Sequence, residues 1–154
     1  MSNIISEVVK VKFNPFTLAP VVLSYFENCQ VKRDNVLLLY LLFPVVLNSD
    51  WIGGSPIAQK RSRLETWVKD NKIHIEGLPE RITTFQRLSE TTLQYCIDME
   101  YVALDNKNNV VVKENPYKKK SRYTDSAVRL TRLIGSSSPA KVYATLGIRE
   151  LKLI

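Results

Sequence analysis

A chain of 154 residues suits a single domain with a real core, and 45% hydrophobic against 24% charged residues excludes an intrinsically disordered chain. The net charge of +7 is unevenly carried: residues 106–154 hold eleven Lys/Arg and three Asp/Glu, a net of +8, whereas residues 77–105 hold two and five, a net of −3. The positive field therefore belongs to the last third, and the segment before it is acidic.

The opening "MSNIISEVVKVKFNP" lacks a basic start, an apolar core and a small-residue cleavage site, so no signal peptide is expected. Asn14-Pro15 has the chemistry of a helix start, because Asn caps free amides and Pro tolerates the first turn. A helix is expected through Phe26, with Pro20 near its first turns. Cys29 follows, and with Cys96 it makes no Cys-x-x-Cys pair; both sit in apolar segments, the pattern of buried free thiols in a reducing cytosol. Asp34 can cap the apolar run from Val36 to Leu47, 12 residues long. As a helix that run covers roughly 18 Å against the roughly 30 Å of a bilayer core, which favours a buried helix and no membrane association.

"NSDWIGGSPIAQ" is dense in turn formers and reads as a loop. "QKRSRLETWVKDNK" reads as an amphipathic helix, with Leu64, Trp67 and Val68 inward and Lys60, Arg61, Arg63, Lys69 and Lys72 outward. From Gly77 two helices are expected, "LPERITTFQRL" and, capped by Ser89, "ETTLQYCIDMEY"; "YVALDNKNNVVVKE" then reads as a hairpin turning at Asp105 to Asn109. Helix, helix, hairpin is the order of a winged helix-turn-helix. A basic loop leads to a helix with Tyr123, Ala127, Leu130 and Ile134 as its core stripe, stopped by Gly135. Ser138 and Pro139 start a last short helix that ends at Gly147, and "IRELKLI" reads as a strand or an extended docking segment.

The fold class expected is α+β, mainly α: a helical bundle with a winged-helix-like helix-helix-hairpin unit and a short C-terminal helix. One domain spans 1–154, divided into a helical half (14–76), the winged-helix-like unit (77–114) and a basic loop, helix and C-terminal hook (115–154).

Reactive chemistry is scarce. His74 is the sole histidine, with no His or Cys at metal spacing. "WIGGSP" lacks the Gly-Lys-Ser/Thr of a phosphate loop, and no Gly-x-Ser-x-Gly elbow occurs. The carboxylates are scattered singly, so no catalytic, metal-binding or cofactor-binding residue is assigned, no cofactor is expected and the chain reads as a non-enzyme.

A winged-helix DNA-binding regulator is the alternative reading, but its second helix would present Glu90, Thr91, Gln94, Asp98 and Glu100 to the duplex, three carboxylates with no compensating Arg or Lys in the helix. Glu90, Gln94 and Asp98 are instead candidates for a protein partner. Lys118, Lys119, Lys120 and Arg122, extended by Arg129 and Arg132, are candidates for nucleic-acid contact, with Tyr117 and Tyr123 flanking them. A plain solvated face is the competing account of that cluster. Val142, Tyr143, Leu146 and Ile148 make the terminal hook greasy; they either finish the chain's own core or dock on a partner.

"FNPFTLAPVVLSYF", "LLLYLLFPVVL", "FQRLSETTLQYCIDMEYVAL" and "SPAKVYATLGIRE" occur in an order that resembles the middle component of bacterial three-component ABC ATPase systems, the group that includes Lamassu-type anti-phage operons. The resemblance runs from about Asn14 to Arg149, and "KVYATLGIR" is its most specific piece. It implies a cytoplasmic, non-catalytic adaptor in antiviral defence. Its implied partners are an SMC-like ABC ATPase subunit and an effector subunit, often a nuclease, with DNA reached through the assembled complex.

Overall fold

The computed structural model describes residues 13–47 and 63–153. Among the described residues the chain is mainly helical with one small sheet: α1 (Pro15–Glu27), a 3-10 turn (Asn35–Leu38), α2 (Leu39–Val46), α3 (Leu64–Asp70), α4 (Lys72–Ile75), α5 (Leu78–Asp98), β1 (Val102–Leu104), β2 (Val110–Val112), α6 (Arg122–Ile134) and α7 (Pro139–Thr145). The loop expected at 48–59, and the outward helix positions expected for Lys60 and Arg61, fall outside the described residues.

Helix α1 begins where its first residues dictate. Asn14 is extended, its Oδ1 accepts the N–H groups of Phe16 (2.9 Å) and Thr17 (3.1 Å), and Thr17 Oγ1 accepts the Asn14 N–H in return (3.1 Å). This reciprocal capping box satisfies donors that a helix start leaves orphaned, and such a cap contributes about 1 kcal/mol. Leu18, Ala19, Val21, Val22, Leu23, Tyr25 and Phe26 are buried because α5, α6 and β2 all pack on α1. Helix α2 is buried on nearly every side, as its unbroken apolar run predicts, with only Tyr40 half-exposed. Both α1 and α2 lie against α5, the long central helix.

Four local expectations are corrected. The helix expected to run through Lys72 ends at Asp70, and Lys72 instead opens the short α4. Asp34 does not cap through its side chain; it is left-handed (φ 55°), and its carboxylate instead accepts from Asn108 Nδ2 at 3.0 Å. Residues Asn35–Leu38 form a 3-10 turn before the α-helix proper. No helix break occurs at Ser89: α5 is continuous through 21 residues, so the helix-helix step of a winged-helix unit is replaced by one helix running into the hairpin. The reason lies in α5's buried face. Leu78, Ile82, Gln86, Ser89, Thr92, Leu93 and Cys96 recur at three- and four-residue spacing without interruption, but three of them are polar. The stripe is helical in period and broken in hydropathy.

The hairpin follows the predicted pattern. Val102 pairs with Val112, Ala103 with Val111 and Leu104 with Val110, antiparallel. Asp105 closes the turn, its Oδ1 accepting the N–H groups of Lys107 (2.8 Å) and Asn109 (2.9 Å), while Asn108 takes the left-handed conformation (φ 59°). Those bonds hold the Asp105 carboxyl below its ordinary pKa, the Asn109 N–H being the largest cause.

Helix α6 carries a second reciprocal box, Ser121 with Thr124, and stops at Gly135, whose φ of 61° favours glycine. Ser138 Oγ then caps α7 by accepting the Lys141 N–H at 3.2 Å, with Pro139 at its first position. Residues 148–153 form no regular element, so a terminal strand is absent there.

Candidate interaction surface

Helix α5 turns Glu90, Gln94 and Asp98 to one outer face, because residues four apart stack along a helix. Facing them is the first turn of α1. The Asn14 cap and Pro15 set Phe16 on the outside, 67% exposed, and its ring meets Tyr95 edge-on at 5.0 Å and 74°. Pro15, Phe16, Glu90, Thr91, Gln94, Tyr95 and Asp98 line one open groove of about 520 Å³.

Each carboxylate in this groove has a hydrogen-bond partner within the chain. Glu90 Oε2 accepts the Tyr40 hydroxyl at 2.8 Å, and Glu90 Oε1 accepts Gln86 Nε2 at 3.2 Å. Gln94 Nε2 donates to Asp98 Oδ1 at 2.8 Å. Burial, and then the Glu90 bond, push the Tyr40 phenol up to about 12, so it stays a donor across the physiological range. An exposed aromatic ring beside two oriented carboxylates can take a basic and partly apolar partner. Phe16 was invisible as a site residue from sequence, where it reads only as part of a helix start. Its signal was its position off the α1 stripe that Leu18, Ala19 and Val22 begin.

The basic residues divide into separate groups. Lys118, Lys119, Lys120, Arg122, Arg129 and Arg132 are all exposed. Lys120, Arg129 and Arg132 line an open depression of about 260 Å³ with Ser24, Thr124, Asp125 and Val128. Arg122 turns elsewhere, its guanidinium 5.0 Å from the Tyr123 ring centre and its Nη2 donating to the Tyr123 hydroxyl at 3.0 Å. The flanking tyrosines are engaged: Tyr123 packs edge-on against Phe13 (5.9 Å) and Tyr117 against Tyr101 (5.9 Å). Tyr101 in turn meets Tyr95 at 6.4 Å, so edge-to-face rings run from the groove toward the basic loop.

The terminal hook folds home. Val142, Tyr143, Leu146 and Ile148 are between 0% and 7% exposed, inside the chain's own core. The Tyr143 hydroxyl donates to the Leu37 carbonyl and the Tyr25 hydroxyl to the Leu38 carbonyl (3.0 Å), pinning the C-terminal segment and α1 to the 3-10 turn. A partner would have to displace the segment to reach these four side chains.

Among the described residues no group of three or more His, Cys, Asp or Glu is placed to hold a metal ion. His74 lies in the short helix α4, and its carbonyl accepts from Arg81 Nη2. Cys29 and Cys96 are buried free thiols, both raised by burial, Cys96 to about 12. Among the described residues no helix is long and apolar enough to cross a membrane.

These features define a mainly helical α+β protein with a two-stranded hairpin, an acidic-aromatic groove and a separate basic face. The family description "ABC-three component (ABC-3C) system Middle Component 3" matches residues 2–150, and the chain belongs to that family. It is thus a middle component of a three-component ABC system, as the resemblance implied. Neither the curated proteins nor the solved structures yield a match.

Proposed function

We propose that this middle component is a non-enzymatic adaptor that bridges an SMC-like ABC ATPase and an effector subunit, often a nuclease, in a cytoplasmic anti-phage complex of the Lamassu type. The subunit holds the effector inactive, or in position, until the ATPase changes state. The observation that carries this reading is the convergence of Glu90, Gln94 and Asp98 with the exposed ring of Phe16 in one groove. An exposed aromatic residue in a shallow, charge-lined depression is the kind of feature on which protein partners dock.

The basic face supplies a second contact, to the DNA that the assembled complex meets. Lys120, Arg129 and Arg132 around one depression, with Lys118, Lys119 and Arg122 beside it, suit phosphates read without sequence. Two tests separate the roles. Changing Phe16 to Glu should release a partner subunit from the complex. Neutralising Lys118, Lys119, Lys120 and Arg122 should leave the complex assembled but weaken its DNA binding and flatten the salt dependence. Unchanged affinity and salt slope would remove the basic face from the mechanism.

A further inference from the structure

The acidic-aromatic groove has a chemistry narrower than "protein partner". Its two carboxylates sit on the segment that carries net −3, within a chain of net +7, so the groove is a local reversal of the molecule's charge. A basic partner is attracted here and repelled by the Lys118–Arg132 region, which gives orientation as well as attraction. Glu90 accepts from Tyr40 and Gln86, and Asp98 from Gln94, which lowers the cost of ordering these carboxylates on binding. The C-terminal end of α5, which stops at Asp98, adds the partial negative charge of its helix dipole.

Phe16 sharpens the choice between lysine and arginine. Its ring meets Tyr95 at a steep angle and remains 67% exposed, leaving surface open beside the carboxylates. A guanidinium is planar, stacks on an aromatic ring and pairs with a carboxylate at the same time; an ammonium does the second well and the first poorly. Resting on the adaptor reading above, we infer that the groove receives an arginine-bearing segment of a partner subunit. The arginine stacks on Phe16 and pairs with Glu90 or Asp98.

The test uses the purified chain and the other two components of its operon, with dissociation constants measured at low and high salt. Glu90→Gln with Asp98→Asn keeps the size of both side chains and one acceptor oxygen on each while removing the charge; it should weaken one partner at least about tenfold at low salt and flatten the salt slope. Phe16→Leu keeps apolar bulk and removes the π face; it should weaken the same partner from a few-fold to about thirtyfold. Three results overturn the inference. If Phe16→Glu blocks binding but the charge-neutral and leucine variants bind normally, the groove takes an apolar segment. If Phe16→Glu itself binds both components normally, the groove is no partner interface and the adaptor reading of it fails. If instead the wild type self-associates and Glu90→Gln with Asp98→Asn abolishes that, the occupant is a second copy of this chain.

Discussion

Asn35 and Asn109 clasp each other's loops across 74 residues of sequence. The Asn35 N–H donates to Asn109 Oδ1 (3.2 Å), and Asn35 Oδ1 accepts the N–H of the next residue, Val110 (2.7 Å). Their amide nitrogens reach the loop before the 3-10 turn, Asn35 Nδ2 at the Val31 carbonyl (3.1 Å) and Asn109 Nδ2 at the Lys32 carbonyl (2.7 Å). Two backbone bonds, Asp34 N–H to Lys107 O (2.9 Å) and Val36 N–H to Asn108 O (3.2 Å), complete the seam. Both asparagines are buried, so each of these groups is costly to leave unpaired. Asn109→Ala orphans the Asn35 N–H and the Lys32 carbonyl and should destabilise the fold by about 2–6 kcal/mol, at about 1–3 kcal/mol per group. Urea unfolding reads this directly; a change under 0.5 kcal/mol, the order expected of an exposed site, would mean the clasp is peripheral.

Ser89 offers a substitution whose sign decides between two structures. As a helix N-cap, its replacement by Ala would cost about 1 kcal/mol. It lies instead inside α5, fully buried, with its Oγ unpartnered. Ser89→Ala removes an unpaired polar atom and adds helix propensity, so thermal or urea unfolding should show no loss and a gain of up to about 1 kcal/mol.

The hairpin turn carries a pH signature. Because Asp105 is held below its unfolded pKa of about 3.9, the unfolded chain binds more protons in acid. Its contribution is fully present above that value and is lost as pH falls through the lower, folded one. The stability gap between wild type and Asp105→Ala should therefore be constant from about pH 5 upward and shrink below about pH 4. A gap independent of pH would show that the Asp105 carboxylate is not what closes the turn.

Truncation after Ser137 removes Val142, Tyr143, Leu146 and Ile148 together. Full burial of one such side chain is worth about 1.5–3 kcal/mol, and typical domains hold only about 5–15 kcal/mol in reserve. The truncated chain should fail to fold as a monomer, seen as loss of the cooperative transition in circular dichroism. Tyr143→Phe, which loses only the bond to Leu37, should fold and cost about 1 kcal/mol. A truncated chain that melts like wild type would return the hook to the status of an interface.

What was readable in the sequence was local chemistry. Asn14 before Pro15, Gly135 at a helix end and Ser138 before Pro139 each set a boundary through neighbouring atoms, and each stands in the structure. The shared face of Glu90, Gln94 and Asp98 followed from helical spacing alone. The 3-10 turn was not readable, because its first residues are held by the hairpin more than 70 positions away. Nor was the continuity of α5 through Ser89, since Gln86, Ser89 and Thr92 lie on its buried face and hide the stripe from a hydropathy pattern. Small side chains at 89 and 92 suit the face that α1 and α2 both cover. The α1 wall of the groove was missed because it is made by tertiary packing: Phe16 becomes part of it only when α1 packs on α5.

The adaptor account rests most directly on one measurement, tagged purification of this chain from cells carrying its whole operon. Wild type should bring down both the ATPase and the effector, Phe16→Glu should lose one of them while remaining folded, and the Lys118–Lys120 and Arg122 neutralised variant should retain both. Recovery of wild type as a lone monomer, or of Phe16→Glu with both components still bound, would contradict the account.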